Sequence, residues 1–493
     1  MRTGFDHELY TRLQSEKILE RMARFGGKLY LEFGGKLFDD NHAARVLPGF
    51  RPDSKITMLS KLVDKAEILI AISAGDIEKN KVRGDLGITY DQDVLRLIDA
   101  FRAAGMLVEN VVITHWTAQP QAVAFRKLLK NLGVKVFLHY PIANYPSDVA
   151  LAVSEKGFGR NEFVETSRPL VLVTAPGPGS GKMAVCLSQL YGEHQRGIKA
   201  GYAKFETFPI WNLPLRHPVN VAYEAATVDL GDVNMIDPFH LEAYNTLAVN
   251  YNRDIEVFPI LDAMFKRIWN EAPYQSPTDM GVNMAGMCIT DDSLVQRAAS
   301  QEVIRRLYNT LCEQRRGQTE DEEVSRLRLL MQQLGLSDDD RPVIAACRKR
   351  AESTGSPTAA IELPDGGIVT GKTSSLLGAS AAVVLNALKL LADIPKDVKL
   401  IPPEVIGPIQ DLKLRYLGNN NPRLHTDEVL VALSITAAQN GPARQALNQL
   451  PLLVGCEVHT SVILSQVDEN IFRRLGVNLT CDPKYQTRKL YHA

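Results

Sequence analysis

Short runs of valine, isoleucine and leucine alternate with helical segments from residue 66 onward, and this alternation is the strongest constraint that the sequence places on the fold. The runs are AEILIAIS (66–73), VENVVITH (108–115), VKVFLHYPI (134–142), RPLVLVTA (168–175) and GIKAGYAKF (197–205). Patterns with helical spacing, such as DQDVLRLIDAFRAAG (91–105), stand between them. Apolar strands separated by helices are typical of βαβ units, whose parallel sheet is covered on both faces. The sequence therefore predicts a doubly wound, mainly parallel α/β domain.

The rest of the chain changes character twice. Residues 255–334 carry apolar residues at helical spacing, which predicts a mainly helical section. After the acidic stretch SDDDRP (337–342), AAIELPDGGIVTGK (359–372) predicts a hairpin that turns at Asp365 and Gly366. A second, smaller α/β domain is expected there. The predicted domains are an α/β domain (1–245), a helical domain (246–340) and a C-terminal α/β domain (341–493).

Composition excludes several classes of protein. The chain has 56 Lys and Arg against 57 Asp and Glu, a formal charge of -1, which does not favour a nucleic-acid partner. Its 6 cysteines are far apart and form no CxxC pair, which argues against a zinc ribbon or a disulfide framework and fits a reducing compartment. No run of about 18 apolar residues occurs, so we expect no membrane partner and a cytoplasmic location.

One glycine-rich segment has the composition of a phosphate-binding loop. TAPGPGSGKM (174–183) stands between a predicted strand and a predicted helix. Such a loop binds phosphate through backbone N–H groups that point inward together, and the partial positive charge of the helix N-terminus adds to their effect. A lysine at the helix start neutralises the outer phosphates. The residues predicted to bind the ligand are Gly177, Gly179, Ser180, Gly181 and Lys182.

The segment departs from the pattern GxxxxGK[ST] at two positions. Pro176 replaces the first glycine, which fixes φ and removes an N–H group. Met183 replaces the serine or threonine whose hydroxyl would bind Mg²⁺. A tight strand-to-helix turn that needs glycine only for close packing therefore stays open as the alternative.

Charged residues follow the next predicted strand. Lys204 and Glu206 stand at its carboxyl end, the edge where ligands collect in open α/β sheets. Asp229, Asp232 and Asp237 come in the segment after it. Together with the glycine loop, this order resembles dethiobiotin-synthetase-like P-loop enzymes. In such enzymes the lysine of this strand faces the bound phosphates and the next loop supplies acids. The resemblance implies catalytic roles for Lys182, Lys204, Glu206 and Asp229, a metal at Asp232 and Asp237, and ATP or another nucleotide with Mg²⁺ as cofactor. Taken singly, the three aspartates also fit a solvated loop, because aspartate is a common turn former, and this alternative stays open.

A histidine also ends one of the predicted strands. His115, in VVITHWTAQP, stands at the carboxyl end of the strand over residues 108–115. Ligands collect at this edge of a parallel sheet. A lone histidine is nevertheless more often structural than functional, so both interpretations stay open.

A second GKT occurs in GGIVTGKT (366–373), which matches GxxxxGK[ST] in every letter. Its Ile368 and Val369 are strand formers, so we predict a hairpin strand and no phosphate loop. The hairpin and the helix after it resemble the opening of a cytidine-deaminase-like domain. Residues 377–380 are Leu, Gly, Ala and Ser, where such enzymes carry His or Cys and a catalytic Glu. We therefore expect a deaminase-like fold without zinc.

The whole chain resembles a bacterial family known only as domain of unknown function 1846. The segments that carry the resemblance are EFGGKLFDDNHAARVLPGF (32–50), TAPGPGSGKMAVCLSQLY (174–191), LPDGGIVTGKTSSLLGAS (363–380) and GCEVHTSVILSQVDENIFRRLGVNLTCDP (455–483). The resemblance implies a multidomain α/β cytoplasmic protein that forms a homo-oligomer. It implies no activity.

Two hypotheses of function follow from the sequence. In the first, the protein binds a nucleotide or another phosphorylated small molecule at residues 177–182 and acts as an ATP-dependent phosphotransferase or ligase, because positioning and charge neutralisation supply most of the catalysis of phosphoryl transfer. In the second, the protein is a noncatalytic oligomeric scaffold or a ligand sensor with a zinc-free deaminase-like domain. Removal of the Lys182 ammonium distinguishes the two hypotheses. Loss of ligand binding with an intact oligomer supports the first, and unchanged binding with altered assembly supports the second.

Overall fold

Fifteen strands are present in the computed structural model, which describes residues 3–83 and 86–487. The strands are β1 (Leu29–Phe33), β2 (Ala66–Ser73), β3 (Val82–Arg83), β4 (Ile88–Thr89), β5 (Leu107–Thr114), β6 (Lys135–Leu138), β7 (Leu170–Thr174), β8 (Gly201–Phe205), β9 (Asn234–Ile236), β10 (Val249–Tyr251), β11 (Gly281–Val282), β12 (Thr358–Glu362), β13 (Ile368–Lys372), β14 (Glu457–Thr460) and β15 (Asn478–Cys481). Contacts divide the described residues into two compact units. The first comprises residues 3–224 and 231–296, and the second comprises 225–230 and 297–487. The division into three domains at 245 and 340 stays a prediction.

A parallel seven-stranded sheet forms the centre of the first unit. Its strand order is β11-β8-β1-β7-β2-β5-β6, and every neighbouring pair is parallel. Every residue of β1, β2, β7 and β8 is buried. This explains the continuous apolar runs in the sequence, because strands covered on both faces have no solvent side for polar residues. The predicted α/β class with a parallel sheet is confirmed.

Helices surround both sheets. In chain order they are α1 (His7–Arg24), α2 (Asn41–Val46), α3 (Ser54–Ser60), α4 (Ala74–Glu78), α5 (Tyr90–Ala103), α6 (Pro120–Asn131), α7 (Val149–Ala152), α8 (Lys182–Gln195), α9 (Pro218–Ala226), α10 (Pro238–Tyr244), α11 (Asn252–Trp269), α12 (Pro277–Met280), α13 (Asp292–Arg315), α14 (Asp321–Gln333), α15 (Pro342–Thr354), α16 (Ala379–Leu391), α17 (Pro403–Asp411), α18 (Thr426–Ala437), α19 (Gly441–Leu447) and α20 (Gln466–Arg474). Among these helices, none is long and apolar enough to cross a membrane.

The strand order places a topological switch point between β1 and β7. The chain leaves β1 through α2 and α3 and returns as β2, on the far side of β7. It leaves β7 through α8 and returns as β8, on the far side of β1. Because the two connections leave in opposite directions, a crevice opens outside the carboxyl ends of β1 and β7, where open α/β sheets bind their ligands.

A four-stranded mixed sheet forms the second unit. Its order is β13-β12-β14-β15, in which β12 is antiparallel to both neighbours and β14 is parallel to β15. Strands β12 and β13 form the predicted hairpin, and Gly366 donates a backbone hydrogen bond to Leu363 at its turn. The literal GKT match at 366–373 therefore includes a β-strand, and no helix begins at its lysine, Lys372. The likeness to deaminases stays a prediction.

Candidate functional site

The glycine-rich loop lies at the switch point, between the end of β7 and the start of α8. Gly181 is the N-cap residue of α8 and has a left-handed φ of 82°. A Cβ atom at this position would lie 3.2 Å from Oγ1 of Thr114, at the end of β5. Gly177 packs against Tyr90 so closely that an added Cβ would lie 2.2 Å from the Tyr90 hydroxyl oxygen. Glycine is thus required at both positions by backbone conformation or close contact.

Side-chain hydroxyl groups donate to two carbonyl groups of this loop, whereas its amides are open. Ser180 Oγ donates to Gly177 O at 2.8 Å, and Thr114 Oγ1 donates to Ser180 O at 2.8 Å. Across residues 3–83 and 86–487, no protein acceptor takes a hydrogen bond from the backbone N–H groups of Gly177 or of residues 179–184. Open donors at the start of a helix favour an anion, because the helix dipole adds positive potential there.

Lys182 is the first residue of α8 and brings an ammonium group to these amides. Its side chain forms no ion pair with any residue that the structure describes. Burial lowers the pKa of Lys182, the Glu32 carboxylate opposes this shift, and Lys204 adds to it. An unpaired, poorly solvated ammonium gains more from an anionic ligand than a fully hydrated one, because less water must be removed from it.

Lys204 lies at the end of β8, beside Glu32 of β1 in the strand register, within a buried polar network. Its Nζ atom contacts the Asp254 carboxylate and the Tyr251 hydroxyl, and lies 3.0 Å from Oε1 of Glu206. Burial alone would lower the pKa of Lys204, but Asp254 and Glu206 hold it well above its usual value. The Lys204 ammonium is therefore charged and already neutralised by protein groups.

Glu206 is the group of this network that titrates near neutral pH. Burial raises the pKa of Glu206 from 4.5 to about 7. The Lys204 ammonium opposes this shift, and the negative charges of Asp254 and Glu32 add to it. Two carboxylates beside one ammonium leave one negative charge in excess, so a proton on Glu206 relieves the repulsion. A carboxyl group with this pKa can accept and release protons at neutral pH.

We expect Glu206→Gln to remove a pH dependence of stability. Because the folded pKa of Glu206 is raised from 4.5 to about 7, its stabilising contribution is complete below pH 4.5 and is lost as the pH rises through about 7. The wild type should lose stability relative to the variant over this window, as measured by urea unfolding at each pH. Burial lowers the pKa of His139 to about 4, which gives a dependence of opposite sign in both proteins. The test is therefore the difference in free energy of unfolding between wild type and Glu206→Gln at each pH. A difference that is constant with pH would contradict the raised pKa of Glu206.

Three aspartates predicted to serve the site have protein partners. Asp232 is buried and accepts two hydrogen bonds from Arg253, at 2.5 and 2.9 Å. Asp237 is also buried; it caps α10 through the His240 amide at 3.0 Å and accepts from the Thr278 hydroxyl at 2.7 Å.

Asp229 belongs to the other unit. There it is 54% exposed and lies 3.5 Å from the Arg306 guanidinium. Within the described ranges, no group of three or more His, Cys, Asp or Glu side chains could hold a metal ion. Catalysis at Asp229 and metal binding at Asp232 and Asp237 stay predictions, and the observed contacts give all three carboxylates other roles.

The structure adds residues to the site that the sequence did not indicate. Glu32 accepts a hydrogen bond from the Tyr202 hydroxyl at 2.7 Å, next to Lys182 and Lys204. A glutamate inside the apolar run LYLEF was a usable signal, because a charge in a fully buried strand needs a partner. Asp254 carries no such signal, because it lies in the first turn of α11, 50 residues after Lys204, and contacts it only in the folded chain.

The fold and the loop define a doubly wound α/β protein with a glycine-rich turn at the switch point of its parallel sheet. The chain belongs to the family described as domain of unknown function DUF1846, whose N-terminal domain matches residues 3–335 and whose C-terminal domain matches residues 339–491. The resemblance to this family that the sequence indicated is confirmed, whereas the resemblance to dethiobiotin-synthetase-like P-loop enzymes stays a prediction.

Relatives of the chain match it over nearly their full length. The UPF0371 proteins of Corynebacterium efficiens and Corynebacterium glutamicum (strain R) are each 59% identical to it over 492 residues, which cover 100% of this chain and 99% of theirs. A UPF0371 protein of Streptococcus thermophilus is 55% identical over 488 residues, 99% of each chain. Both units of the structure thus occur together in these relatives.

Proposed function

We propose that the protein binds a nucleotide or another phosphorylated small molecule at the glycine-rich loop, residues 177–182. The observation that carries this proposal is the set of backbone N–H groups without a protein acceptor, at the start of α8 and at the switch point of the sheet. The first N–H groups of any helix lack an intrahelical acceptor, but here the N–H groups of Gly177, Gly179 and Ser180, which precede α8, are also without a protein acceptor. These additional donors favour a ligand over a turn needed only for packing.

The proposed reaction is ATP-dependent phosphoryl transfer or ligation. In such reactions, donors that point at the phosphate oxygens stabilise the charge of the transition state without having to rearrange. The loop amides and the Lys182 ammonium would perform this task. Lys204, whose charge is balanced by Asp254 and Glu206, would hold the buried network in place beneath them.

Glu206 is the candidate acid or base of this reaction. It follows β8 at the carboxyl edge of the sheet, and its pKa of about 7 lets it accept a proton from an attacking hydroxyl or amine group. The carboxylates predicted to bind magnesium, Asp232 and Asp237, accept hydrogen bonds from Arg253 and Thr278. We therefore derive no step through a metal at these residues.

Isothermal titration calorimetry with ATP, GTP and inorganic phosphate at millimolar concentration tests the proposal. We expect saturable binding of at least one of them to the wild type. Lys182→Met should weaken this binding by about 10- to 100-fold, because a hydrogen bond to a charged group contributes about 1.5–3 kcal/mol. Lys199→Met is the matched control, since Lys199 is exposed and lies beyond the other end of α8.

The outcomes separate the two hypotheses that the sequence left open. Absence of saturable binding to the wild type would refute the ligand site. Equal binding by wild type and Lys182→Met, together with an altered sedimentation coefficient, would favour the noncatalytic scaffold. Sedimentation of the wild type also tests the homo-oligomer and reports its size.

A further inference from the structure

His115 stands beside the glycine-rich loop, at the carboxyl end of β5. Its imidazole Nδ1 lies 3.2 Å from Thr114 Oγ1, and the same hydroxyl lies 2.8 Å from the Ser180 carbonyl oxygen. Two hydrogen bonds thus connect the imidazole to the loop. The side chain is exposed, so packing in a core does not explain it.

The hydrogen bonds of Thr114 determine which nitrogen of His115 carries a proton. The hydroxyl has one proton, and the two carbonyl oxygens within reach, of Ser180 at 2.8 Å and of Ile72 at 3.4 Å, can only accept, so the shorter bond, to Ser180, takes this proton. Thr114 Oγ1 must then accept from His115, whose Nδ1 is therefore the donor. This arrangement orients the ring and leaves Nε2 available for another partner. In many functional histidines, a hydrogen bond at one ring nitrogen likewise determines the orientation of the other.

The backbone at His115 also has an uncommon conformation. Its φ is 53°, in the left-handed region, and its carbonyl oxygen accepts a hydrogen bond from Gln119 Nε2 at 3.0 Å. Among residues other than glycine, asparagine, aspartate and histidine adopt this conformation more often than the rest, and it still costs about 1–3 kcal/mol. Glycine would adopt this backbone conformation without strain, yet the chain carries a histidine here.

We propose that His115 binds the phosphate group of the ligand through Nε2. The proposal rests on the proposed function of the loop and extends it by one ligand-contacting residue. In this complex the Nδ1–H group would stay on Thr114, and an N–H group at Nε2 would donate a charge-assisted hydrogen bond to a phosphate oxygen. The open loop amides, Lys182 and His115 would then surround one phosphate group.

Two conservative variants of His115 distinguish this role from a structural one. The amide nitrogen of asparagine takes the place of Nδ1, and that of glutamine takes the place of Nε2. If His115 serves the backbone alone, His115→Asn should be the milder change, because asparagine tolerates a positive φ and can still donate to Thr114. If His115 binds phosphate, His115→Gln should be the milder change.

Calorimetry with inorganic phosphate and with ATP measures this order. We expect affinity for at least one of these probes to fall in the order wild type, His115→Gln, His115→Asn, with the Asn variant about 10-fold weaker than the wild type, as expected for the loss of one charge-assisted hydrogen bond. His194→Asn is the matched control, because His194 is exposed at the opposite end of α8 and should leave affinity unchanged.

Nitrogen-15 spectra of the histidine side chains provide a test that requires no stable variant. Addition of phosphate to the wild type should shift the His115 Nε2 resonance, and the Nδ1 resonance should keep the character of a protonated nitrogen. If the wild type binds phosphate but its Nε2 resonance does not shift, the role of His115 is overturned and the ligand site stays intact. The same follows if His115→Asn binds as tightly as the wild type. Absence of any binding to the wild type would overturn both proposals.

Discussion

Replacing Lys204 by methionine is expected to lower the free energy of unfolding of the first unit by about 3–5 kcal/mol, the typical cost of removing one member of a buried ion pair. The Lys204 ammonium lies between Asp254 and Glu206, and all three side chains are at most 11% exposed. Methionine has a similar volume but no charge, so the variant leaves two carboxylates buried without a cation. The tryptophans of the chain, Trp116, Trp211 and Trp269, all lie in this unit, so their fluorescence during urea unfolding measures the loss.

A second substitution tests whether the unpaired charge causes this loss of stability. Adding Asp254→Asn to Lys204→Met removes one of the unpaired carboxylates, so the double variant should be more stable than the single one. Lys199→Met, at an exposed position, should shift the free energy by no more than about 0.5 kcal/mol. A Lys204→Met midpoint equal to that of Lys199→Met would show that the network contributes nothing to stability.

Arg341→Met should have a comparable effect in the second unit, about 3–5 kcal/mol. Arg341 is fully buried at the start of α15 and forms an ion pair with Glu457. It also donates to the backbone carbonyl groups of Val458, at 3.2 Å, and Asn478, at 2.8 Å. Its guanidinium therefore joins α15 to both β14 and β15. Hydrogen exchange of peptides from residues 454–482, followed by mass spectrometry, measures how far this region loses protection.

The planar shape of the guanidinium should matter as much as its charge. Arg341→Lys retains the charge, but its single ammonium group cannot bind Glu457 and both carbonyl groups at once. We therefore expect a loss of protection from hydrogen exchange between that of the wild type and that of Arg341→Met. Arg350→Met, on an exposed position of the same helix, should exchange like the wild type. Unchanged protection of β14 and β15 in Arg341→Met would contradict the role assigned to Arg341.

Elements formed by local patterns were predictable to within a few residues. The predicted strand at 66–73 is β2, and the one at 168–175 contains β7 (Leu170–Thr174). The helix predicted to start after the glycine loop is α8. These predictions succeeded because apolar runs, helical spacing and glycine at chain reversals act through neighbours in sequence.

The partners of charged residues were not predictable in the same way. Metal binding by Asp232 and Asp237 stays a prediction, whereas their observed partners, Arg253 and Thr278, were not indicated by the sequence. Likewise, Asp254 was not indicated, although it lies against Lys204. An aspartate in a turn looks the same in sequence whether it caps a helix, pairs with arginine or faces a ligand.

The sequence by itself determined the parallel α/β class, the hairpin whose turn lies between β12 and β13, and the position of the glycine-rich turn. Each of these follows from side-chain spacing and from the backbone preferences of adjacent residues. Only the tertiary structure decided that β7 inserts between β1 and β2, which places this turn at a switch point. It also decided which buried charges meet. Strand order and ion pairing depend on contacts between residues far apart in the chain, and the burial that shifts the pKa of Glu206 to about 7 exists only once those contacts have formed.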